Sequence, residues 1–174
     1  MTVGQETVAE SASGGRYLGV DPGLGRTGYA VIHRTVRGPV LLEGGVIETD
    51  RKAALHLRLR ELADGLREVI RELKPDVAAM EKVFANPRNL KSSLLLAQAR
   101  GALLLSIAES GLPLLQYEPT RIKRMLTGSG RAPKEQMQMA ICRELQLRQL
   151  PEPHDVADAS AIALCLFHSL RFAA

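Results

Sequence analysis

The stretch Arg16-Tyr17-Leu18-Gly19-Val20-Asp21-Pro22-Gly23 runs apolar, closes on a carboxylate and then turns. It reads as a strand over 16–21 that delivers Asp21 at its C-terminal end. An isolated ionised carboxylate is costly to bury, so this one needs a metal, a basic partner or an exposed strand end. The same grammar recurs at Asp76-Val77-Ala78-Ala79-Met80-Glu81, a second short apolar run closed by an acid. Two strands that each deliver a carboxylate outline a metal site.

Working outward, 27–34 and 41–49 read as two further strands, separated by turn chemistry at Arg37-Gly38-Pro39. Short turns between three strands suggest an antiparallel meander. A helix follows, because Leu55, Leu59, Leu62, Leu66, Val69, Ile70 and Leu73 recur at spacings of three and four. Lys74-Pro75 ends it, since the residue before a proline is pushed out of the helical region. Beyond the strand 77–81, a helix over 89–109 is stopped by Gly111 and Pro113. A strand over 112–117 leads to a short helix opened by Pro119 and reaching about residue 126. The loop Thr127-Gly128-Ser129-Gly130, a helix over 133–147, the break Pro151-Glu152-Pro153 and a last helix over 155–172 complete the order. The expected fold class is α/β: a mixed five-stranded sheet, an antiparallel meander plus parallel strands, flanked by helices.

With 174 residues the chain suits one domain, expected over 16–174, after a disordered tail over 1–15. Only 3% of residues are aromatic and none is Trp, so the core must be built from Leu, Val, Ile and Ala. Lys and Arg outnumber Asp and Glu by 23 to 19, a mild basic excess that permits a nucleic-acid partner without requiring one. Cys142 and Cys165 fall in apolar helical patterns without metal-ligand spacing and read as buried thiols of a reducing compartment. The first residues lack the apolar run of a signal peptide, and the Leu-rich run 94–105 reads as too short to span a membrane. A cytoplasmic protein without a membrane partner is expected.

The last helix opens His154-Asp155-Val156-Ala157-Asp158-Ala159, and acids three apart share one helix face. Alone, they read as an N-cap and first-turn acids favoured by the helix dipole; their company changes the weighing. With Asp21 and Glu81 they make four carboxylates, each at an element terminus beside an apolar run. Hard oxygen ligands of this kind suit Mg²⁺ or Mn²⁺. Two such ions roughly 4 Å apart activate a water and stabilise the leaving oxygen in phosphodiester cleavage.

The ordered set of motifs resembles the RuvC Holliday junction resolvases, which have a ribonuclease H-like fold. It comprises Gly19-Val20-Asp21-Pro22-Gly23 with Gly28-Tyr29-Ala30-Val31, Glu81-Lys82-Val83-Phe84 and Gln98-Ala99-Arg100-Gly101. Gly128-Ser129-Gly130-Arg131-Ala132-Pro133-Lys134 and Asp155-Val156-Ala157-Asp158-Ala159 complete it. The resemblance implies that Asp21, Glu81, Asp155 and Asp158 are the catalytic, metal-binding acids, with two Mg²⁺ or Mn²⁺ ions per site. Some relatives place a histidine at the third position, which makes His154, immediately before Asp155, a candidate to support the acids without binding the metal itself. The implied activity is metal-assisted, paired nicking of four-way junction DNA in recombination and repair. The implied partners are a second copy of the chain and the RuvA–RuvB branch-migration complex.

Arg121, Lys123, Arg124, Arg131 and Lys134 fall between Pro119 and Lys134 with no acid among them. They read as a phosphate-binding surface rather than a solvated charged face, and the resemblance sets Lys123 and Lys134 near the scissile phosphate. Phe84 reads from the sequence as core or as a base-stacking residue; the resemblance favours the second. Arg88 and Lys91 add expected phosphate contacts. The Leu- and Ala-rich segment 92–105 fits a core helix or a dimer seam, and the resemblance tips it to the seam. The rival readings are a ribonuclease H-like nuclease for other nucleic acids, a non-catalytic junction binder, and an actin-like ATP-binding lobe. The last would need a second lobe and a second phosphate loop.

Overall fold

Alternation along β1 (Arg16–Asp21) decides which face each residue serves. Leu18 and Val20 enter one hydrophobic core and Tyr17 the other. In the computed structural model, which describes residues 15–82 and 87–171, β1 is the centre of a five-stranded sheet. The strand order is β3-β2-β1-β4-β5, with β2 spanning Arg26–Thr35, β3 Gly38–Glu48, β4 Val77–Glu81 and β5 Leu114–Tyr117. β1, β2 and β3 pair antiparallel, while β1, β4 and β5 pair parallel. This is the expected meander joined to crossovers.

α1 (Leu55–Leu73) and α2 (Leu90–Glu109) cover one face. Leu62, Leu66, Val69, Ala99, Leu103 and Ile107 meet Leu18, Val20, Val31 and Met80 there. α3 (Pro119–Thr127), α4 (Lys134–Glu144) and α5 (His154–Arg171) cover the other. α5 packs unusually close to the strands. A Cβ on Gly19 would lie 2.1 Å from the Ala159 carbonyl oxygen, so no larger residue fits under the helix. Near the other end of α5, the rings of Tyr17 and Phe167 meet edge to face, and the Arg34 guanidinium lies against both, 5.5 and 4.9 Å from their centroids. Its Nε donates to the Tyr17 hydroxyl over 2.9 Å.

Several boundaries differ from the sequence expectation, each for a local reason. β3 begins at Gly38, with Pro39 opposite Arg34, because an edge strand tolerates a residue without an N–H. A bulge in the β2–β3 register at Val31/Ile32 leaves Leu42 without a partner, and it projects into solvent. Lys74 takes a left-handed conformation and its N–H closes α1 on Ile70. α4 stops at Glu144 although the apolar pattern continues, since Gln146 adopts a positive φ of 54°. Leu145 and Leu147 still join the core from the following loop.

Gly15 belongs to the folded body rather than the expected tail, because its carbonyl accepts the Arg34 N–H over 2.6 Å. Residues 1–14 and the expected helical Phe172 lie outside the described residues. Cys165 is buried as expected, but Cys142 is half-exposed. The Leu-rich run belongs to a 20-residue helix, which by length and composition alone reaches a membrane-spanning size. In the fold that helix docks on α1 through Ala99, Leu103, Ser106 and Ile107, and Ser106 donates to the Ala63 carbonyl. Leu90, Leu94 and Leu105 are left facing outward.

Candidate active site

Adjacent parallel strands end at the same edge of a sheet. β1 and β4 pair with Val20 opposite Met80, which brings Asp21 and Glu81 side by side. Alternation then sets the face: Asp21 lies two residues beyond Gly19, and Glu81 two beyond Ala79, on the side that carries α5. α5 contributes Asp158, three residues after Asp155 and one before the Ala159 that touches Gly19. The close helix–sheet approach is therefore what brings the third acid to the strand ends.

Asp21, Glu81 and Asp158 line one cavity of about 380 Å³, together with Lys123, Lys134, His154 and the hydrophobic Ile122, Met137 and Ile141. The acids feel each other. Burial first, then the charges of Asp158, Glu81 and Asp155, push the Asp21 carboxyl up to about 7. Burial and Asp158 raise Glu81, with Lys123 opposing. Burial and Asp155 raise Asp158, with Lys134 and His154 opposing. Bare, this cluster holds its protons too tightly for its acids all to be ionised at neutral pH. A bound cation would reverse that preference.

Asp155 is placed differently from the other three acids, although its charge reaches Asp21 and Asp158. Its carboxylate lies 3.3 Å from Arg26 Nε and does not line the cavity. His154 does line it, on the same helix face as Asp158 by the four-residue spacing. Among the described residues, no three acids, histidines or cysteines are gathered tightly enough to hold an ion as they stand. The donor set nonetheless fits a hard divalent cation, because it is all carboxylate and no neighbouring cation offsets the repulsion at Asp21.

Of the seven expected phosphate contacts, Lys123 and Lys134 reach the cavity. Lys123 is carried on α3, started by Pro119 at its first turn and ended by Gly128 in the left-handed region. Lys134 opens α4. Arg121 instead stacks over the Tyr117 ring, 5.0 Å from its centroid. Arg124 and Arg131 are exposed and do not line the cavity, and neither do Arg88 and Lys91 at the start of α2. Phe84 lies outside the described residues. Sequence reasoning missed Arg26 and Glu48. The available signal was that a basic residue opens β2 while an acid closes β3, which sets them opposite each other in a hairpin.

Comparison with known proteins places the chain in a family. A family model described as "Crossover junction endodeoxyribonuclease RuvC" matches residues 17–166. The chain is 45% identical over 161 residues to the protein of that name from Rhodopirellula baltica, covering 92% of this chain and 90% of the relative. It is 48% identical over 153 residues to the one from Bordetella pertussis, covering 88% and 83%. The structure resembles Thermus thermophilus RuvC with a TM-score of 0.84 at 29% identity, covering 91% of this chain and 96% of that one. It resembles the same protein in complex with a Holliday junction substrate with a TM-score of 0.83.

Proposed function

The chain belongs to the RuvC family of crossover junction endodeoxyribonucleases and resolves Holliday junctions; from that premise we propose that Asp21, Glu81, Asp155 and Asp158 hold the divalent cations of its catalytic site. Nucleases of this family are metal-dependent, and Mg²⁺ or Mn²⁺, two per site, suits an all-carboxylate donor set. When bound, such ions supply Lewis acidity that activates a water and stabilises the leaving oxygen of a phosphodiester. The observation that carries the reading is the meeting of three raised-pKa acids and two lysines on one cavity.

The side chains divide the work. Asp21, the most desolvated acid, would hold a cation at the centre of the sheet, whose charge favours its ionised form. Lys123 and Lys134 attract the scissile phosphate and offset charge that builds on it during cleavage. Arg121, Arg124, Arg131, Arg88 and Lys91 extend the phosphate contacts away from the cavity, and Phe84 stacks on a base at the crossover. His154 orients the acids from beside Asp158.

Paired nicks in opposing strands require two sites related by a two-fold axis. The outward Leu90, Leu94 and Leu105 of α2 support a homodimer through that helix. Coupling to a RuvA–RuvB branch-migration complex, a cytoplasmic location and a single nuclease domain over 16–174 complete the reading. The deciding experiment is cleavage of a synthetic mobile four-way junction with Mg²⁺ or Mn²⁺. Asp21→Asn should bind the junction and fail to nick it, by about three orders of magnitude or more; normal nicking by this variant refutes the site.

A further inference from the structure

Arg26 opens β2 directly opposite Glu48 in the β2–β3 register. Two residues along the same strand, Gly28 lies against the start of α5: a Cβ there would sit 2.1 Å from the Asp155 carbonyl oxygen. Side chains two apart share a face, so Arg26 and Gly28 both look toward α5. The contact at Gly28 fixes the Asp155 backbone and leaves its side-chain torsions as the means of redirecting the carboxylate. Here they aim it at Arg26, with Oδ2 3.3 Å from Nε. Glu48 Oε1 approaches the same Nε at 3.5 Å. That buried Nε–H meets neither oxygen in hydrogen-bond geometry. One guanidinium thus stands between two carboxylates and is committed to neither.

Asp155 is also the one acid of the four that does not line the cavity. Resting on the reading that these four acids hold divalent cations, we propose that Arg26 is a latch on Asp155: it keeps the carboxylate turned away from the cation site, and Glu48 takes over the guanidinium when Asp155 turns inward. Arg26 is a positioning residue, acting only through Asp155. The exchange keeps Arg26 partnered throughout, because its cross-strand neighbour stays opposite it whichever way Asp155 points. It takes place at the rim, where the Arg26 and Asp155 side chains are 39% and 30% exposed, so solvent weakens their pairing enough for a cation to compete with it. Pairing with Arg26 and binding of the cation compete for one carboxylate, so abolishing the first must strengthen the second.

The test is a double-mutant cycle read by calorimetric titration of Mn²⁺ into the DNA-free full chain, with no cleavage involved. Arg26→Ala should tighten Mn²⁺ binding about two- to five-fold, the range of a half-exposed ion pair. In an Asp155→Asn background the same change should alter binding by less than about 1.5-fold. Equal gains in both backgrounds would mean that Arg26 acts through its charge alone, and would overturn the latch. Unchanged or weaker binding in Arg26→Ala would overturn it as well. Arg26→Gln, which keeps more of the side chain's packing, gives the same readout should the alanine variant fold poorly. Asp21→Asn separates the two claims: it should abolish Mn²⁺ binding, and binding that survives it defeats the site itself rather than the latch.

Discussion

The two faces of the sheet solve different problems with different residues. Toward α1 and α2 the packing is large aliphatic against large aliphatic, with Leu62, Leu66, Leu103 and Ile107 on Leu18, Val20 and Met80. Toward α5 the strand surface is pared down to Gly19 and Gly28, and the helix answers with Ala157, Ala159 and Ala163. Bulky side chains bury more apolar area and hold the fold together. Small ones let backbones meet, which fixes the helix relative to the strand ends with little play. The α5 side also buries Tyr17, Ile32, Leu164, Leu166 and Phe167, so both faces supply stability, and the small-residue seam adds position.

Substitutions on each face should therefore fail differently. Gly19→Val should have the largest effect, because its Cβ meets the Ala159 carbonyl, a backbone atom that cannot rotate away. A cost of about 3 kcal/mol or more is expected, and junction cleavage should be lost even by the molecules that remain folded. Urea melts combined with cleavage per folded molecule would separate the two losses; full specific activity would break the contrast between the faces. Leu103→Ala, buried on the opposite face, should cost about 3 kcal/mol through a cavity while leaving cleavage per folded molecule within about two-fold of wild type at low temperature. A large loss of specific activity there would show that the α2 face also positions the site.

The smallest expected effect sharpens the electrostatic side of the comparison. Asp21 has its pKa raised from 3.8 to about 7, so the folded state binds this proton more tightly than the unfolded chain. Its contribution is intact below about pH 4 and is lost as pH rises toward 7. In EDTA, Asp21→Asn should then be more stable than wild type at pH 8, by on the order of 2 kcal/mol, with the gain vanishing by pH 4. Denaturant melts at pH 4, 6 and 8 give the slope directly. An asparagine variant less stable than wild type at pH 8 would contradict the electrostatic account.

Much of this was legible in the sequence because it follows from short-range rules. The α1 periodicity, the Lys74-Pro75 stop and the acids closing β1 and β4 each depend on a few neighbouring residues. What escaped depends on register. The pairing of Arg26 with Glu48 follows from a hairpin whose bulge at Val31/Ile32 resets the count, and no local pattern announces that bulge. Asp155 was legible as an acid beside Asp158, but its alignment with Arg26 requires knowing that Gly28 carries the helix. Arg121 looked like its basic neighbours until Tyr117 appeared beneath it. Position in a charge run does not say which cation a ring will claim.

The Arg34–Tyr17–Phe167 cluster bears on the site from far away. α5 touches β2 near both its ends, through Asp155 on Gly28 and through Phe167 under Arg34. Twelve helical steps from Asp155 to Phe167 cover about 18 Å, and six strand steps from Gly28 to Arg34 cover about 20 Å. The two spans are matched, so the helix lies along the strand like a beam seated on two supports. A beam seated twice neither pivots nor slides unless one seat fails. Alignment of the acids is thus shared with a cation–aromatic contact at the opposite edge of the sheet.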